Sequence, residues 1–440
     1  MRARAVLAAA VLAMSTSGCW LQSGWGPERT AFNDLESQIT TANVSQLVPL
    51  WTGSLGGNFG AEPLVDSGSA FVRSDGRLSA FNLDTGATRW SVAVGPAGNR
   101  AGGSTSVPAI ANGSLWVPTP GQTACTLTQI NPADGTTTGT RPYAGVAGNI
   151  PPSAIRLARC DTGNALATGT KIVVPSALNY SLDTTQLPGG PFCPPGVDLV
   201  SSIVSMSVID TSNPGQGWTL SQQANGCAPL TNAPVPYQPA GLSGDQLLVA
   251  QGSVVSAYPL TPCVIGQQCP TATWSVDVGG QIANAPVALS NGDIAVSRTG
   301  GISVIEGTTH TVEWTAGAGS LAATPSTIFT VSTVAPGVTT IVSALPAGGC
   351  GSSTCAPTWT ATLPSAPTGR ASIGGDVLYV GHGRLVSALP AAGCGAATCT
   401  SLWDGTATTS GAITSPPVIW NGVVLVGNQL GTVAAFSLPR

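Results

Sequence analysis

One phrase recurs along the chain and closes on tryptophan. Trp51, Trp90, Trp218, Trp274, Trp314, Trp359 and Trp403 each end a short hairpin, and neighbouring marks are separated by steps of 39, 40, 45 and 44 residues where the spacing is regular. In the first copy Pro63-Leu64-Val65-Asp66-Ser67-Gly68 leads into Ser69-Ala70-Phe71-Val72, followed by the turn Ser74-Asp75-Gly76, a second apolar run, the turn Asp84-Thr85-Gly86 and Trp90. Short β-branched runs cut by Asn-Gly, Asp-Gly and Gly-Gly are the grammar of antiparallel hairpins. A helical reading fails, because no stretch after residue 18 sustains a 3.6-residue apolar stripe free of Gly or Pro. A four-stranded module of this length cannot bury both faces alone and must stack on its neighbours, which predicts an all-β, eight-bladed β-propeller, with seven blades as the alternative. Two units lack the regular mark: one closes at Arg141, and the next stretches to Trp218. The repeated Trp is expected at the contacts between blades.

The ends of the chain suit a closed ring. The last copy stops at Arg440 without its Trp-bearing strand, and Leu47-Val48-Pro49-Leu50-Trp51 supplies that type of strand. Closure in this way removes two free sheet edges. The expected organisation is residues 1–18 as a signal peptide, 19–42 as an anchored N-terminal segment, and 43–440 as the ring. Phe32, Leu35 and Ile39 suggest that the segment packs against it.

Composition narrows the function. Only 8% of the 440 residues are charged and the net charge is −4, against about 25% charged in an ordinary domain. With one lysine, Lys171, and no basic cluster, a nucleic-acid groove is excluded. His310 and His382 are the two histidines. Both read as turn residues, His382 as exposed or near the axis between Gly381 and Gly383. Neither has a zinc-ligand spacing around it. Asp75, Asp84 and Asp134 read as carboxylates capping their own turns. No metal site is expected.

Arg2 and Arg4 precede the apolar residues 5–14 and the small residues up to Cys19, a pattern of export and cleavage too short to span a bilayer. Thr16-Ser17-Gly18-Cys19 resembles a bacterial lipobox, departing from it at Thr16, where an aliphatic residue is usual. The resemblance implies a lipidated (palmitate-bearing) Cys19 on the outer side of a cell membrane. Eleven cysteines leave ten once Cys19 is set aside, enough for five bridges in an oxidising compartment. Three pairs sit in hairpins: Cys263–Cys269, Cys350–Cys355 and Cys394–Cys399. Cys193–Cys227 is geometrically sensible, since the middle turn of a blade and the inter-blade links share one face. Cys125–Cys160 follows by elimination, although Cys160 reads as near a turn on the other face.

The phrase Gly-x-Leu-x-Ala-Phe-Asn-x-Asp-Thr-Gly-x-x-x-Trp at residues 76–90 resembles the repeat of the pyrroloquinoline-quinone-like propellers. The opening Trp25-Gly26-Pro27, Phe32-Asn33 and residues 39–51 are similar to the N-terminal phrase of that superfamily. It holds quinone-dependent dehydrogenases, outer-membrane-assembly lipoproteins and exported proteins without known activity, so the likeness implies fold before function. Its dehydrogenases hold the quinone on the axis with Ca²⁺ and an Asp base, several of them on a disulfide between adjacent cysteines. This chain has no Cys-Cys dipeptide and no matched ligand set. The expectation is therefore a non-enzymatic, lipid-anchored envelope propeller, without a cofactor and monomeric, that binds or scaffolds an envelope protein or surface ligand. The alternatives are a quinone-dependent dehydrogenase-like enzyme and an exported carbohydrate- or cofactor-binding propeller. The long loop at 179–200 is the expected contact surface.

Overall fold

The computed structural model describes residues 19–56, 61–95, 106–146, 150–187, 193–213, 217–227, 237, 241–260, 271–334, 339–407 and 410–440. The described residues form eight antiparallel meanders, each taken in chain order from the innermost strand outward. They comprise residues 64–95, 109–145, 155–227, 241–277, 287–316, 320–363, 372–406 and 418–437, and are numbered blades 1 to 8 in that order. Blade 8 takes its outermost strand from the other end of the chain. Val48–Ser54 lies antiparallel to Thr432–Ser437, in a register that opens with Val48 opposite Ser437. The expected closure by the Trp51 strand is thus present.

The core is divided among the contacts between blades. Among the described residues nine apolar clusters each span two neighbours, two of them between blades 2 and 3, from Leu64, Leu78, Ile110 and Leu115 between blades 1 and 2 round to Val65, Ala70, Val418 and Leu425 between blades 8 and 1. The Trp repeat serves these contacts. Trp51 of blade 8 donates its indole N–H to the Leu83 carbonyl of blade 1 (2.8 Å), and Trp90 of blade 1 donates to Pro132 of blade 2 (3.0 Å). Trp403 donates to Leu47 (3.0 Å) and meets Phe436 edge-on. Trp218 lies 6.3 Å from Tyr258 of blade 4, and Trp314 and Trp359 lie against the next blade at Gly349 and Gly393. The Asp-Thr-Gly turn now has a reason. A Cβ at Gly86 would stand 2.5 Å from the Trp51 ring, and one at Gly135 2.7 Å from Trp90. At the contact between blades 4 and 5, His310 takes that place, at φ 52° and stacked 4.6 Å from Trp274.

Alternate turns of a meander emerge on opposite faces. The first and third turns of every blade share one face, the turn face. The second turns and the inter-blade links share the other, the link face. Blade 3 breaks the pattern on the link face. Its two central strands, Lys171–Leu182 and Leu199–Asp210, run 12 residues each, and an additional strand, Ile155–Thr162, pairs with the far half of the first. This corrects two expectations. Cys160 belongs to that additional strand and lies on the same face as Cys125, to which it is bonded with Cα atoms 5.3 Å apart. The loop expected at 179–200 is shorter, because Asn179–Leu182 and Leu199–Val200 are paired strand. A second disulfide, Cys193–Cys227 (Cα–Cα 5.5 Å), ties the tip of this ribbon to the outermost strand. Cys350–Cys355 and Cys394–Cys399 close hairpins on the turn face, each with Cα atoms 5.7 Å apart. Cys263 and Cys269 lie outside the described residues.

Candidate functional site

The axis of a propeller is lined by its innermost strands, which are sheet edges with unpaired N–H groups pointing inward. In this ring the chain itself satisfies them. Residues 20–33 pass round the inside of the ring and meet the blades in order. The N–H of Val65 donates to the Trp20 carbonyl (2.9 Å), Ile110 to Leu21 (2.8 Å), Leu242 to Pro27 (2.9 Å), Ala288 to Glu28 (3.0 Å), Ala323 to Thr30 (2.9 Å) and Ile373 to Ala31 (2.8 Å). At blade 3 the Ala167 N–H finds the Gln22 side-chain oxygen (2.6 Å), and at blade 8 the Asn33 amide donates to the Ile419 carbonyl (2.8 Å). Phe32–Asn33 then runs parallel to the innermost strand of blade 7. A chain bent this tightly needs left-handed backbone. Of the seven described non-glycine residues with positive φ, Trp25, Arg29 and Ala31 fall in this segment. Such residues are individually unfavourable and persist only where their surroundings hold them.

A buried charge cluster fixes the start of the segment. Glu62, 4% exposed, precedes the innermost strand of blade 1. Its Oε1 accepts the Trp20 indole N–H (3.0 Å) and the Gly24 N–H (2.9 Å), and its Oε2 accepts the Ser23 hydroxyl (2.7 Å). Arg370, from the link entering blade 7, donates to both carboxylate oxygens at 2.7 Å. Arg29 lies beside them and donates to the Ser23 carbonyl at 3.0 Å. Burial is the main cause pushing its guanidinium down to about 9; the positive Arg370 adds to this, and Glu62 offsets part of it. Trp20, fully buried, packs edge-on against Trp25 (5.3 Å), and Trp25 reaches Trp420 at the inner end of blade 8 (5.9 Å).

The expected anchored segment is therefore built into the ring along residues 20–33. Ile39 is buried and Phe32 partly so, as expected, whereas Leu35 is 55% exposed and does not pack. The segment leaves between blades 7 and 8, where Glu36 accepts the Gly422 N–H (3.0 Å) and Gln38 bonds Asn421 (2.7 Å). Cys19 stands immediately before the buried Trp20, half-buried and outside the four disulfides.

His382 corrects another expectation. It is fully buried in the strand Val377–His382. Its Nε2 meets the Ser387 hydroxyl at 2.6 Å and its Nδ1 meets Ser365 at 3.3 Å. Ser387 in turn donates to Asp404, which also accepts from Ser401 (2.8 Å). Burial holds the imidazole below its usual range, with Asp404 opposing. A serine between histidine and carboxylate inverts the order of a nucleophilic triad, in which the histidine must take the serine proton. This network ties the second, third and outermost strands of blade 7 to one another and to the link at Ser365. Asp134 caps its own turn as expected, accepting the Thr136 N–H at 2.9 Å, whereas Asn82 caps the turn at Asp84 and Asp84 pairs with Arg440. Among the described residues no group of three His, Cys, Asp or Glu is arranged to hold a metal ion.

The comparisons with known proteins agree on architecture. A family model described as "Outer membrane protein assembly factor BamB" matches residues 28–156. The solved structure of BamB from Moraxella catarrhalis is similar at TM-score 0.55 with 12% identity, covering 89% of this chain and 99% of that one. A quinohemoprotein alcohol dehydrogenase from Pseudomonas putida HK5 is similar at TM-score 0.54 with 12% identity, covering 96% of this chain and 80% of that one. No curated protein matches the chain. At these identities the likeness is one of fold.

Proposed function

We propose that this chain is an exported envelope lipoprotein whose ring is a binding or scaffold body without quinone chemistry. The observation that carries the reading is the axis filled by residues 20–33, hydrogen-bonded to the innermost strands of blades 1 to 7. A flat cofactor on that axis would have to displace the segment and leave those inward N–H groups unpaired, at a cost of about 1–3 kcal/mol each. The residues there also do not fit a quinone and Ca²⁺. A calcium site needs six to eight oxygen ligands, whereas the oxygens of the buried Glu62 are already engaged by Arg370, Trp20, Ser23 and Gly24. The match of residues 28–156 to a family model described as an outer membrane protein assembly factor, with the fold likeness to BamB, favours the same reading.

Removal of residues 1–18 and acylation of Cys19 would place the ring on the outer side of a membrane. The contact surface for a partner is then the link face at blade 3, where two disulfides hold the ribbon in one shape and reduce the ordering cost of binding. The second reading, a quinone-dependent dehydrogenase, is favoured by the likeness to the quinohemoprotein enzyme. Calorimetric titration of the mature chain with pyrroloquinoline quinone and Ca²⁺ separates the two. No binding heat is expected, and no turnover of alcohols or aldoses with an artificial electron acceptor. Micromolar quinone binding with turnover would overturn the scaffold reading.

A further inference from the structure

We propose that the ring lies flat on a zwitterionic lipid surface, turn face inward, with Trp25 and Trp420 at the level of the headgroups. The inference rests on the anchor reading of Cys19 and adds what that reading leaves open, namely which face meets the membrane. A lipoprotein body usually has freedom in proportion to its tether, and some twenty flexible residues would give about 25 Å. In this chain the tether is absent. Trp20, the next residue, is fully buried and bonded to Val65. One residue spans only about 3.5 Å, so acyl chains on Cys19 leave at the mouth of the axis.

The mouth in question follows from register. Trp20 forms an antiparallel bridge with Val65, which directs Cys19 toward Asp66 and the Ser67-Gly68 turn. That is the turn face. Trp420 ends the innermost strand of the adjoining blade 8 at the same level, just before the turn Asn421-Gly422, and carries Trp25 against it. Both indoles are only half-buried, and tryptophan favours the interface between water and lipid. Of the seven described exposed large apolar residues the same face bears four, Leu35, Val48, Val312 and Leu402, and the link face three, Leu157, Val334 and Leu430. The turn face also bears the exposed carboxylates Asp134, Asp245 and Asp376, which repel an anionic surface and select a zwitterionic one; Asp84 there is offset by its pair with Arg440. The blade 3 ribbon then points away from the membrane, free to meet a partner.

The mature chain, coupled through Cys19 to a maleimide lipid and checked by mass, would be reconstituted in phosphatidylcholine vesicles with brominated acyl chains. Brominated lipid should quench part of the tryptophan emission, and Trp25→Phe combined with Trp420→Phe should remove the greater part of that quenching. Emission untouched by brominated lipid, or quenching unchanged in the double variant, would overturn the orientation. The anchor reading is tested separately by mass analysis of the membrane-extracted protein. A Cys19 without acyl groups defeats that reading, whatever the coupled protein reports.

Discussion

Replacing Glu62 with glutamine is expected to cost about 3–5 kcal/mol of stability, the usual loss when one partner of a buried ion pair is removed. Glutamine keeps the volume, so the loss measures charge. The Glu62 side chain is 2% exposed and that of Arg370 19%, while Arg29 beside them is already disfavoured as a cation by burial. Without the carboxylate, two neighbouring guanidinium groups are left without their shared anion, and the Trp20, Ser23 and Gly24 donors lose an anionic acceptor. The measurement is the urea midpoint at constant slope, since an altered slope would signal a changed end state. Arg440→Gln provides the contrast. Its pair with Asp84 has side chains 55% and 62% exposed, and such pairs contribute about 0–1 kcal/mol.

Trp20→Ala is expected to cost as much, about 3–5 kcal/mol, by a different route. The fully buried indole packs with Leu55, Val65, Val418 and Leu425 at the contact between blades 8 and 1, and alanine leaves a cavity there. It also takes one donor from Glu62. Because both substitutions act on one network, the double variant should lose less than the two single losses together. Full additivity would mean that Trp20 stabilises the ring by packing alone.

The blades were legible because hairpins are local. Turn residues, β-branched runs and the Trp mark all sit within a few residues of the strands they define, and the closing strand at 48–54 carries the same mark. The axial segment was not legible for the opposite reason. Its partners are backbone N–H groups on seven separate blades, and bonds to backbone impose no pattern on the sequence that accepts them. The signals were indirect: the opening phrase Trp25-Gly26-Pro27 and Phe32-Asn33 marked the segment without its path, and Trp20, Glu62 and Arg370 are large or charged residues in a chain that uses few of either. The strand Ile155–Thr162 was missed because the first half of its burial pattern does not alternate and because its cover, Cys125 and Tyr143 of blade 2, is distant in sequence. His382 misled through its glycines. Gly381 is required by crowding, since a Cβ there would stand 2.7 Å from Thr368 Oγ1, and only Gly383, at φ 56°, marks the turn.

The central claim is that the chain closes its own axis, and amide hydrogen exchange on the mature protein tests it most directly. The N–H groups of Val65, Ile110, Leu242, Ala288, Ala323 and Ile373 face the axis from the innermost strands. With residues 20–33 seated, these six should exchange as slowly as amides inside the sheets. If they exchange as fast as free sheet edges while the sheet interiors stay protected, the axis is open to water and available to a ligand, which contradicts closure by the chain's own N-terminal segment.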